Sequence, residues 1–253
     1  MAKLTASERQ SHIVDLLNSN GSMKITELAE RFQVSRETIR RDLNALSETG
    51  TIRKGFGGAI IQQDFHVDRV ETRLGEHTDA KIRICERALD MIPEGTVLFL
   101  DTGSTPLCLA RLLKTREGLT IITNSLPVMN ELAESGNRLI VTGGDFSPQL
   151  MAVVGMQTIE FLAGIKFGLA FLGSSGYDQH NGPAGNRFED SQIKKTVIAN
   201  AQTTVVLCDS SKATRTALTE YASWRDIHYL ITDDGVPEAK LDELKKQTTV
   251  IIV

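Results

Sequence analysis

The chain of 253 residues is 41% hydrophobic, which is enough for a full core, and its length leaves room for a small domain beside a larger one. Its formal net charge of −4 argues against a protein that coats nucleic acid without sequence preference. The three cysteines are widely spaced and no apolar run approaches membrane-spanning length, so the sequence predicts a cytoplasmic protein with neither a disulfide framework nor a metal site.

A first helix is predicted over residues 5–17, and Gly21 ends it. Both Thr5-x-x-Glu8 and Ser7-x-x-Gln10 fit the capping-box pattern at its start. A second short helix follows, because apolar residues recur at i, i+3, i+4 and i+7 between Ile25 and Phe32.

A third helix is predicted to begin after Ser35, a residue type that caps helix N-termini well, and to end before Gly50. Ile39, Leu43 and Leu46 form its apolar stripe. The long polar side chains of this helix are therefore expected to face solvent.

A short hairpin comes next, because residues 51–54 and 59–61 flank a glycine-rich tip over 55–58. Three helices followed by a hairpin predict a winged helix. Residues 1–60 carry nine Lys/Arg against seven Asp/Glu, a net charge of +2, so the remainder carries −6. A mildly basic N-terminal region, here called the head (residues 1–60), followed by an acidic remainder, here called the body, is typical of a site-specific DNA-binding protein with a separate sensing domain.

The predicted domains are 1–61, a winged helix-turn-helix DNA-binding domain, and 80–253, a mainly parallel α/β domain, with a polar linker over 62–79. In the second domain helical segments alternate with short apolar strands, which is typical of βαβ units. The predicted strands are Val97–Asp101, Leu119–Thr123, Leu139–Thr142, Leu169–Leu172, Thr204–Asp209, Tyr229–Thr232 and Val250–Val253.

Arginines dominate the outward face of the third helix. The planar guanidinium fork matches the two acceptors of a guanine edge, and a threonine can contact a thymine methyl group. We therefore expect Arg36, Thr38 and Arg40 to read bases in the major groove of DNA.

Other polar residues of the head are better suited to the DNA backbone. Ser35 lies at the positive end of the helix and Arg41 beside it, so both are expected to contact phosphates. Arg53 and Lys54 on the hairpin would add backbone or minor-groove contacts. Alternatively, these charges only solvate one helix face, with Glu37 paired to Arg41.

The third helix carries a recognisable pattern, Ser35-x-x-Thr38-Ile39-Arg40-Arg41-Asp42-Leu43, followed by Gly57-Gly58-Ala59 on the hairpin. It resembles the signature of the DeoR family of bacterial transcriptional regulators. The resemblance implies a sequence-specific DNA-binding regulator, expected to repress a carbohydrate-catabolism operon. Lys24 stands where many members have a Ser or Thr helix cap.

Polar junctions follow several strands of the second domain. Asp101-Thr102-Gly103-Ser104-Thr105 ends a strand and opens a helix, so its N–H groups and hydroxyls are expected to bind an anion. Thr123-Asn124-Ser125 and Gly143-Gly144 follow the next two strands, and together they predict one small-molecule pocket. Further residues are expected to complete the pocket, with cations for a phosphate and carboxylates for sugar hydroxyls: Gly173-Ser174-Ser175-Gly176, Glu189, Lys195 and Asp209-Ser210-Ser211-Lys212.

A structural interpretation of these junctions stays open, because Ser, Thr and Asn also cap helices and glycines also form tight turns. Neither G-x-x-x-x-G-K-[ST] nor G-x-G-x-x-G follows a strand, so no nucleotide or other cofactor is predicted.

The second domain as a whole resembles the DeoR-family sensor domain, which is related to ribose-5-phosphate isomerase and coenzyme A transferases. The resemblance implies that a phosphorylated sugar or related metabolite binds there and changes operator affinity. It implies phosphate contacts from Ser104, Thr105 and Lys212, and polyol contacts from Asp101, Glu189 and Lys195.

Two details of this pocket stay open. Lys194 is placed as well as Lys195 to reach the ligand. Arg187 and Arg215 stand where the family pattern has other residues, and either can serve a more anionic ligand or face solvent.

The leading functional prediction is a non-enzymatic regulator that binds double-stranded operator DNA as a homo-oligomer, a dimer or tetramer, because one head reads too few bases for genomic specificity. The alternative is an isomerase-like or acyltransferase-like enzyme with an appended DNA-binding domain, since Asp101, Glu189 and Lys195 are capable of acid–base chemistry. A DNA-architectural protein is disfavoured by the acidic body.

Overall fold

The computed structural model describes residues 5–20, 22–48, 52–55, 58–61 and 70–253. The chain divides into two compact units, Met1–Phe65 and His66–Val253. Each unit has buried hydrophobic clusters of its own.

The first unit has the predicted winged helix-turn-helix arrangement, in which three helices precede a hairpin. Its elements in chain order are α1 (Ala6–Asn20), β1 (Ser22–Lys24), α2 (Ile25–Phe32), α3 (Arg36–Glu48), β2 (Ile52–Gly55) and β3 (Gly58–Ile61). The residues that pack its core are Ile13, Leu17, Leu28, Ala29, Ile39, Leu43, Leu46 and Ile52.

Side chains satisfy the free backbone groups where these helices begin. Thr5 N donates to Glu8 Oε2 at 2.8 Å and Glu8 N donates to Thr5 Oγ1 at 3.3 Å, so the first of the two predicted capping boxes forms. At α2, Lys24 N donates to Glu27 Oε2 at 3.0 Å. A first-turn glutamate therefore compensates for a cap residue whose side chain cannot accept a hydrogen bond.

The hairpin of the first unit belongs to a three-stranded sheet with the order β1-β3-β2. Strands β2 and β3 pair antiparallel from Ile52↔Ile61 to Gly55↔Gly58. Strand β1 was not predicted, because three residues between two helices are too few to show a two-residue period. The tip residues 56–57 and the predicted helix stop at Gly50 lie outside the described residues.

A buried ion pair in the first unit also went unpredicted. Arg9 Nε lies 2.6 Å from Asp42 Oδ2, and Gln10 Nε2 donates to Asp42 Oδ1 at 3.2 Å. Asp42 belongs to the recognisable motif on α3, yet its side chain is 4% exposed. It joins α1 to α3 inside the unit and does not share the outward face of α3.

The second unit alternates helices and strands. Its elements are α4 (Val70–Leu74), α5 (Thr78–Leu89), β4 (Val97–Leu100), α6 (Ser104–Leu113), β5 (Thr120–Thr123), α7 (Leu126–Leu132), β6 (Arg138–Val141), β7 (Asp145–Ser147), β8 (Ala152–Val154), α8 (Met156–Ala163), β9 (Phe167–Gly173), β10 (Ala184–Gly185), α9 (Phe188–Asn200), β11 (Ala201–Leu207), β12 (Thr219–Glu220), β13 (Tyr229–Thr232), α10 (Glu238–Lys245) and β14 (Thr249–Ile252). Short 3₁₀ helices occupy Ser210–Thr214 and Trp224–Asp226.

Seven parallel strands form the central sheet, in the order β14-β13-β11-β9-β4-β5-β6. All seven correspond to predicted strands, so the mainly parallel α/β fold class is confirmed. Alternate residues enter opposite cores: Phe99 packs in one, and Leu98 and Leu100 in the other. Burial on both faces explains why these strands are almost continuously apolar in the sequence.

The beginning of the second unit differs from the predicted linker over 62–79. Residues 62–69 lie outside the described part of the chain. Helix α4 and the start of α5 belong to the second unit, and Val70 is 1% exposed in its core. Polar composition concealed this short helix, because its two core-packed residues, Val70 and Leu74, are too few to establish a period.

Strand order determines which predicted junctions can meet. The loops after β4, β9 and β11 leave the carboxyl edge of the sheet from three adjacent strands. Strand β6 is at the far edge, so Gly143-Gly144 leaves the sheet two strands away from β4. A site at this edge can therefore combine Asp101–Thr105 with residues near 173 and 209, but not with that glycine pair.

Candidate functional site

Helix α3 starts with the predicted cap. Thr38 N donates to Ser35 Oγ at 3.1 Å, and the two hydroxyl oxygens lie 2.9 Å apart. Ser35 thus satisfies a free N–H group at the positive end of the helix. Because Thr38 is half-buried and engaged with Ser35, its methyl group is the part best suited to an apolar contact.

The outward face of α3 is basic. Arg36, Arg40 and Arg41 are exposed. Arg40 Nη1 lies 3.5 Å from Glu37 Oε2, with both side chains more than 60% exposed. The pairing that sequence considered, Glu37 with Arg41, is replaced by this weak i, i+3 contact, which leaves the guanidinium accessible to a ligand.

The hairpin positions two further basic residues. Arg53 and Lys54 lie in β2, opposite Ile60 and Ala59 of β3. Their side chains lie outside the described part of the structure, so their DNA contacts stay predictions.

The second unit contains a cleft at the carboxyl edge of its sheet. We call it the cavity. It is lined by Arg73, Thr102, Gly103, Ser104, Thr105, Pro106, Leu150, Gly173, Ser174, Ser175, Asn186, Asp190, Lys194, Leu207 and Lys212. The start of α6, the end of β9, α9 and the turn after β11 therefore meet there.

One wall of the cavity is the N-terminus of α6. Gly103 is the residue before the helix and has a φ of 130°, a conformation that favours glycine. Because glycine has no side chain, the N-cap position makes no side-chain hydrogen bond to the helix. Ser104 and Thr105 form the first turn and are both buried. Free N–H groups and hydroxyls at this position suit an anion.

A buried charge cluster lies beside this wall. Lys194 Nζ is 2.5 Å from Asp101 Oδ2 and 3.0 Å from Asp190 Oδ2. Asp101 Oδ2 also accepts from Gly173 N at 2.8 Å. Among the described residues, Asp101 Oδ1 and Asp190 Oδ1 have no hydrogen-bond partner, so each carboxylate retains one acceptor.

The pKa values in this cluster reflect both burial and the neighbouring charges. Burial raises the pKa of Asp101 to about 6, with Asp190 adding to the rise and Lys194 opposing it. Burial by itself lowers the pKa of Lys194, but the two carboxylates outweigh it and the pKa is raised. The lysine is thus held as an ammonium ion between two acids.

Lys212 is a further cation that lines the cavity. Its Nζ donates to Ser211 Oγ at 3.2 Å and lies 3.8 Å from Asp209 Oδ2. Burial lowers the pKa of Lys212, and Asp209 only partly offsets it. An added anion in the cavity would therefore stabilise the charged lysine.

Asp209 itself does not line the cavity. Its Oδ1 accepts from Ser211 N at 3.2 Å and from the Ser211 hydroxyl. Burial acts to raise the pKa of Asp209, but Lys212 and these hydrogen bonds lower it overall. The carboxylate shapes the turn that presents Lys212, which corrects its predicted direct role.

The junction after β5 is structural. Thr123 Oγ1 accepts from Ser125 N at 3.0 Å, and Ser125 Oγ caps α7 by accepting from Val128 N at 3.4 Å. Asn124 Nδ2 donates to Val153 O at 3.0 Å, which fastens β8 to this junction. Thr123, Asn124 and Ser125 do not line the cavity, and the hydrogen bonds named above hold backbone in place.

Gly143 and Gly144 are also absent from the cavity wall. A Cβ atom on Gly144 would lie 2.4 Å from both Thr158 Oγ1 and Val154 O, and its φ is 139°. Close packing and backbone conformation therefore explain this glycine.

On α9 the prediction was shifted by one position. Lys195 is exposed and Glu189 half-buried, and neither lines the cavity. Asp190 and Lys194 take their places, one helical turn apart. Of the two lysines that sequence left open, Lys194 is the inward one.

Three polar cavity residues were missed from the sequence. Asp190 has a usable signal, because it shares the buried face of α9 with Ile193, Lys194 and Val197. Arg73 and Asn186 carry no such period. Arg187 and Arg215, considered for a more anionic ligand, do not line the cavity.

Within the described residues, no cluster of three or more His, Cys, Asp or Glu side chains is arranged to hold a metal ion. The helices described are all too short or too polar to cross a membrane.

Comparison with known families accounts for both units. Residues 9–65 match the DeoR-like helix-turn-helix domain, and residues 76–234 match the DeoR C terminal sensor domain. The chain belongs to the DeoR family. As a member with both domains, it is a DNA-binding transcriptional regulator.

Curated DeoR-type relatives match along almost their whole length. The glycerol-3-phosphate regulon repressor of Escherichia coli (strain K12) is 30% identical over 94% of each chain. That of Haemophilus influenzae is 31% identical over 97% of this chain and 96% of the relative. The putative aga operon transcriptional repressor of E. coli O157:H7 is 29% identical over 98% of this chain and 93% of the relative.

Solved structures resemble the chain more distantly. Ribose 5-phosphate isomerase A from Methanocaldococcus jannaschii has a TM-score of 0.41 and 22% identity, over 54% of this chain and 55% of that one.

Proposed function

We propose that this protein represses a carbohydrate-catabolism operon and that a phosphorylated sugar or related metabolite, bound in the cavity, controls its affinity for operator DNA. Relatives that match along the whole chain support this, since their names describe repressors of a glycerol-3-phosphate regulon and of an aga operon.

The observation that carries the proposal is the pairing of two chemistries in one cavity. The N-terminus of α6 and Lys212 suit a phosphate group. The carboxylate of Asp190 lines the cavity and keeps an unpartnered oxygen, which can accept from a hydroxyl group. Asp101, which was predicted to contact the polyol, is fully buried and does not line the cavity, so it acts there only through Lys194. A small molecule with a phosphate at one end and hydroxyls at the other satisfies both.

A thermal-shift screen with matched pairs tests the ligand. We expect glycerol 3-phosphate or a pentose or hexose phosphate to raise the melting temperature, and the unphosphorylated partner to raise it much less. Lys212→Met should abolish the difference, while exposed Lys195→Met should keep it. Equal shifts for both members of every pair, or no shift at all, would contradict the proposal.

For DNA we propose base contacts from Arg36, Thr38 and Arg40 in the major groove, with Ser35, Arg41 and the β2 residues on the backbone. Arg40→Ala should weaken operator binding by about 30-fold or more, since each of two heads loses about 1–3 kcal/mol. Ligand binding should remain intact. Arg83→Ala, an exposed arginine on α5, is the matched control. Unchanged operator affinity in an anisotropy titration of Arg40→Ala would refute the assignment.

We further propose a cytoplasmic homo-oligomer, at least a dimer, that places paired heads on repeated half-sites. Sedimentation of the protein with and without operator DNA, together with footprinting, tests this. A monomer bound to a single half-site would contradict it.

A second candidate function is sugar-phosphate isomerisation or acyl transfer. Asp101, whose burial raises its pKa to about 6, lies against Lys194 beside the cavity, and such pairs also occur at catalytic sites. We expect no turnover. Incubation with pentose and hexose phosphates, followed by NMR, distinguishes the two, because product formation would favour the enzyme.

A further inference from the structure

Helix α4 is both a wall of the cavity and the first element after the connection between the two units. It begins directly after residues 62–69 in the chain, and Arg73 lines the cavity. Val70 anchors the other end of α4 in the core. Helix α4 also packs against α6, whose N-terminal residues line the same cavity. Any ligand held by Arg73 thus acts on the helix that leads to the DNA-binding unit.

A buried lysine holds the end of this helix. Lys81 Nζ donates to Arg73 O and, at 2.5 Å, to Glu76 O. Lys81 is 3% exposed and belongs to α5, whose apolar face is in the core. An ammonium group that bonds the last carbonyls of a helix fixes where that helix ends. Lys81 therefore sets the position of the Arg73 backbone.

The same lysine responds to charge near the cavity. Burial lowers the pKa of Lys81, Asp209 opposes this and Lys212 adds to it. Lys212 lines the cavity, so an anion bound there would offset its repulsion of Lys81. Occupancy of the cavity would then strengthen the charged form of Lys81 and its hold on α4.

We infer that Arg73 is an effector-contacting residue that couples the cavity to the DNA-binding unit, and that Lys81 is the positioning residue that keeps Arg73 in place. The inference rests on the proposed function, because it names the regulation of that same cavity. An arginine that merely completes the wall would contribute to affinity only. A coupling arginine is also needed for the response of the DNA head.

The deciding measurement separates affinity from coupling. Operator affinity of Arg73→Ala is measured by anisotropy, on a sequence selected from random DNA, without effector and at saturating effector. The probe is the sugar phosphate or glycerol 3-phosphate that gives the largest thermal shift with the unmodified protein.

We expect Arg73→Ala to weaken effector binding by about 10–100-fold, the usual result of removing a charge-assisted hydrogen bond. At saturating effector the change in operator affinity should fall to less than a third of that of the unmodified protein, while effector-free operator affinity stays the same. Arg83→Ala should match the unmodified protein in each measurement. A full response of Arg73→Ala at saturation would overturn the coupling role.

Lys81→Met tests the positioning role, with exposed Lys246→Met as its control. We expect Lys81→Met to reduce the response at saturation as Arg73→Ala does. The double variant should lose no more than Arg73→Ala alone, because Lys81 acts through Arg73. Additive losses, or a normal response of Lys81→Met, would refute this role even if the variant is less stable.

Failure of the proposed function is visible separately. If the unmodified protein binds no phosphorylated probe, or binds one without a change in operator affinity, the proposed function fails. If it responds and Arg73→Ala responds equally, only the present inference fails.

Discussion

The outward face of α3 and the cavity region hold charged side chains in opposite ways. On helix α3, Arg40 and Glu37 are 61% and 63% exposed and meet at 3.5 Å. At the cavity, the lining residue Lys194 and its partner Asp101 are 4% and 0% exposed and meet at 2.5 Å. Helix α3 exposes its basic groups to solvent, whereas the second unit encloses a few charges beside its cavity.

The difference in burial determines whether a binding residue also stabilises the fold. An exposed arginine remains hydrated and adds little to stability, so it is available for DNA. A buried ammonium must be neutralised by its neighbours before any ligand arrives. Lys194 is therefore expected to matter for folding and for recognition, and Arg40 for recognition alone.

The largest expected effect tests the buried cluster. Lys194→Met should reduce the free energy of unfolding of the second unit by about 3–5 kcal/mol, because it leaves Asp101 and Asp190 buried without their cation. Urea unfolding followed by the fluorescence of Trp224, the single tryptophan and 2% exposed, measures this. Lys195→Met should change the value by no more than about 0.5 kcal/mol. Equal free energies of unfolding for the two variants would show that buried Lys194 contributes no more to stability than exposed Lys195.

A glycine substitution separates structural from binding residues. Gly144→Ala should cost about 2–4 kcal/mol, because its φ is 139° and the new Cβ would clash with Thr158 and Val154. At Gly143 a Cβ meets nothing within 4 Å, so Gly143→Ala is the control. Folded Gly144→Ala should keep full ligand affinity. If Gly144→Ala instead lost ligand affinity with unchanged stability, the glycine pair would belong to the ligand site.

The pH dependence of stability provides a third test. Burial raises the pKa of Asp101 from 3.8 to about 6, so the fold favours the protonated acid. Its stabilising contribution is complete below about pH 4 and is lost as the pH rises through about 6. Relative to Asp101→Asn, the unmodified protein should thus lose on the order of 1–3 kcal/mol across this window. Parallel stability curves, measured with Trp224 fluorescence, would contradict it.

The smallest effect is expected on the exposed pair. Glu37→Ala should change the free energy of unfolding of the first unit by no more than about 0.5 kcal/mol. Operator affinity should rise at low salt, because a carboxylate beside Arg40 is removed from the DNA-facing surface. Circular dichroism and anisotropy at two salt concentrations measure both effects. A loss of more than 1 kcal/mol would show that this pair is structural.

The helices of the head were predictable because their information is local. Ser35 caps α3 and Ile39 and Leu43 are buried, as a 3.6-residue period requires. The same period predicts that Arg40 faces away from the core, and this prediction requires no information about distant residues. Asp42 could not be placed this way, because its partner Arg9 lies 33 positions earlier in the chain.

The cavity was predictable only in part. Gly103, Ser104, Thr105, Gly173 and Lys212 were expected there and line it. These residues follow strands β4, β9 and β11, which are neighbours in the sheet. Strand order brings them together, and no single junction shows that order in its own sequence. Thr123 and Gly144 have the same residue chemistry at the ends of other strands and serve turns instead.

By itself the sequence determined what depends on short-range periodicity and motif: seven strands, two units, an arginine-rich helix with its cap, and membership of a regulator family. Tertiary structure decided which polar groups meet. Lys194 faces Asp101 while Lys195 faces water, and Arg73 reaches the cavity from a helix with no predicted role. The reason is physical: a buried charge is tolerated only beside its counter-charge, and that neighbour lies 93 residues away in the chain.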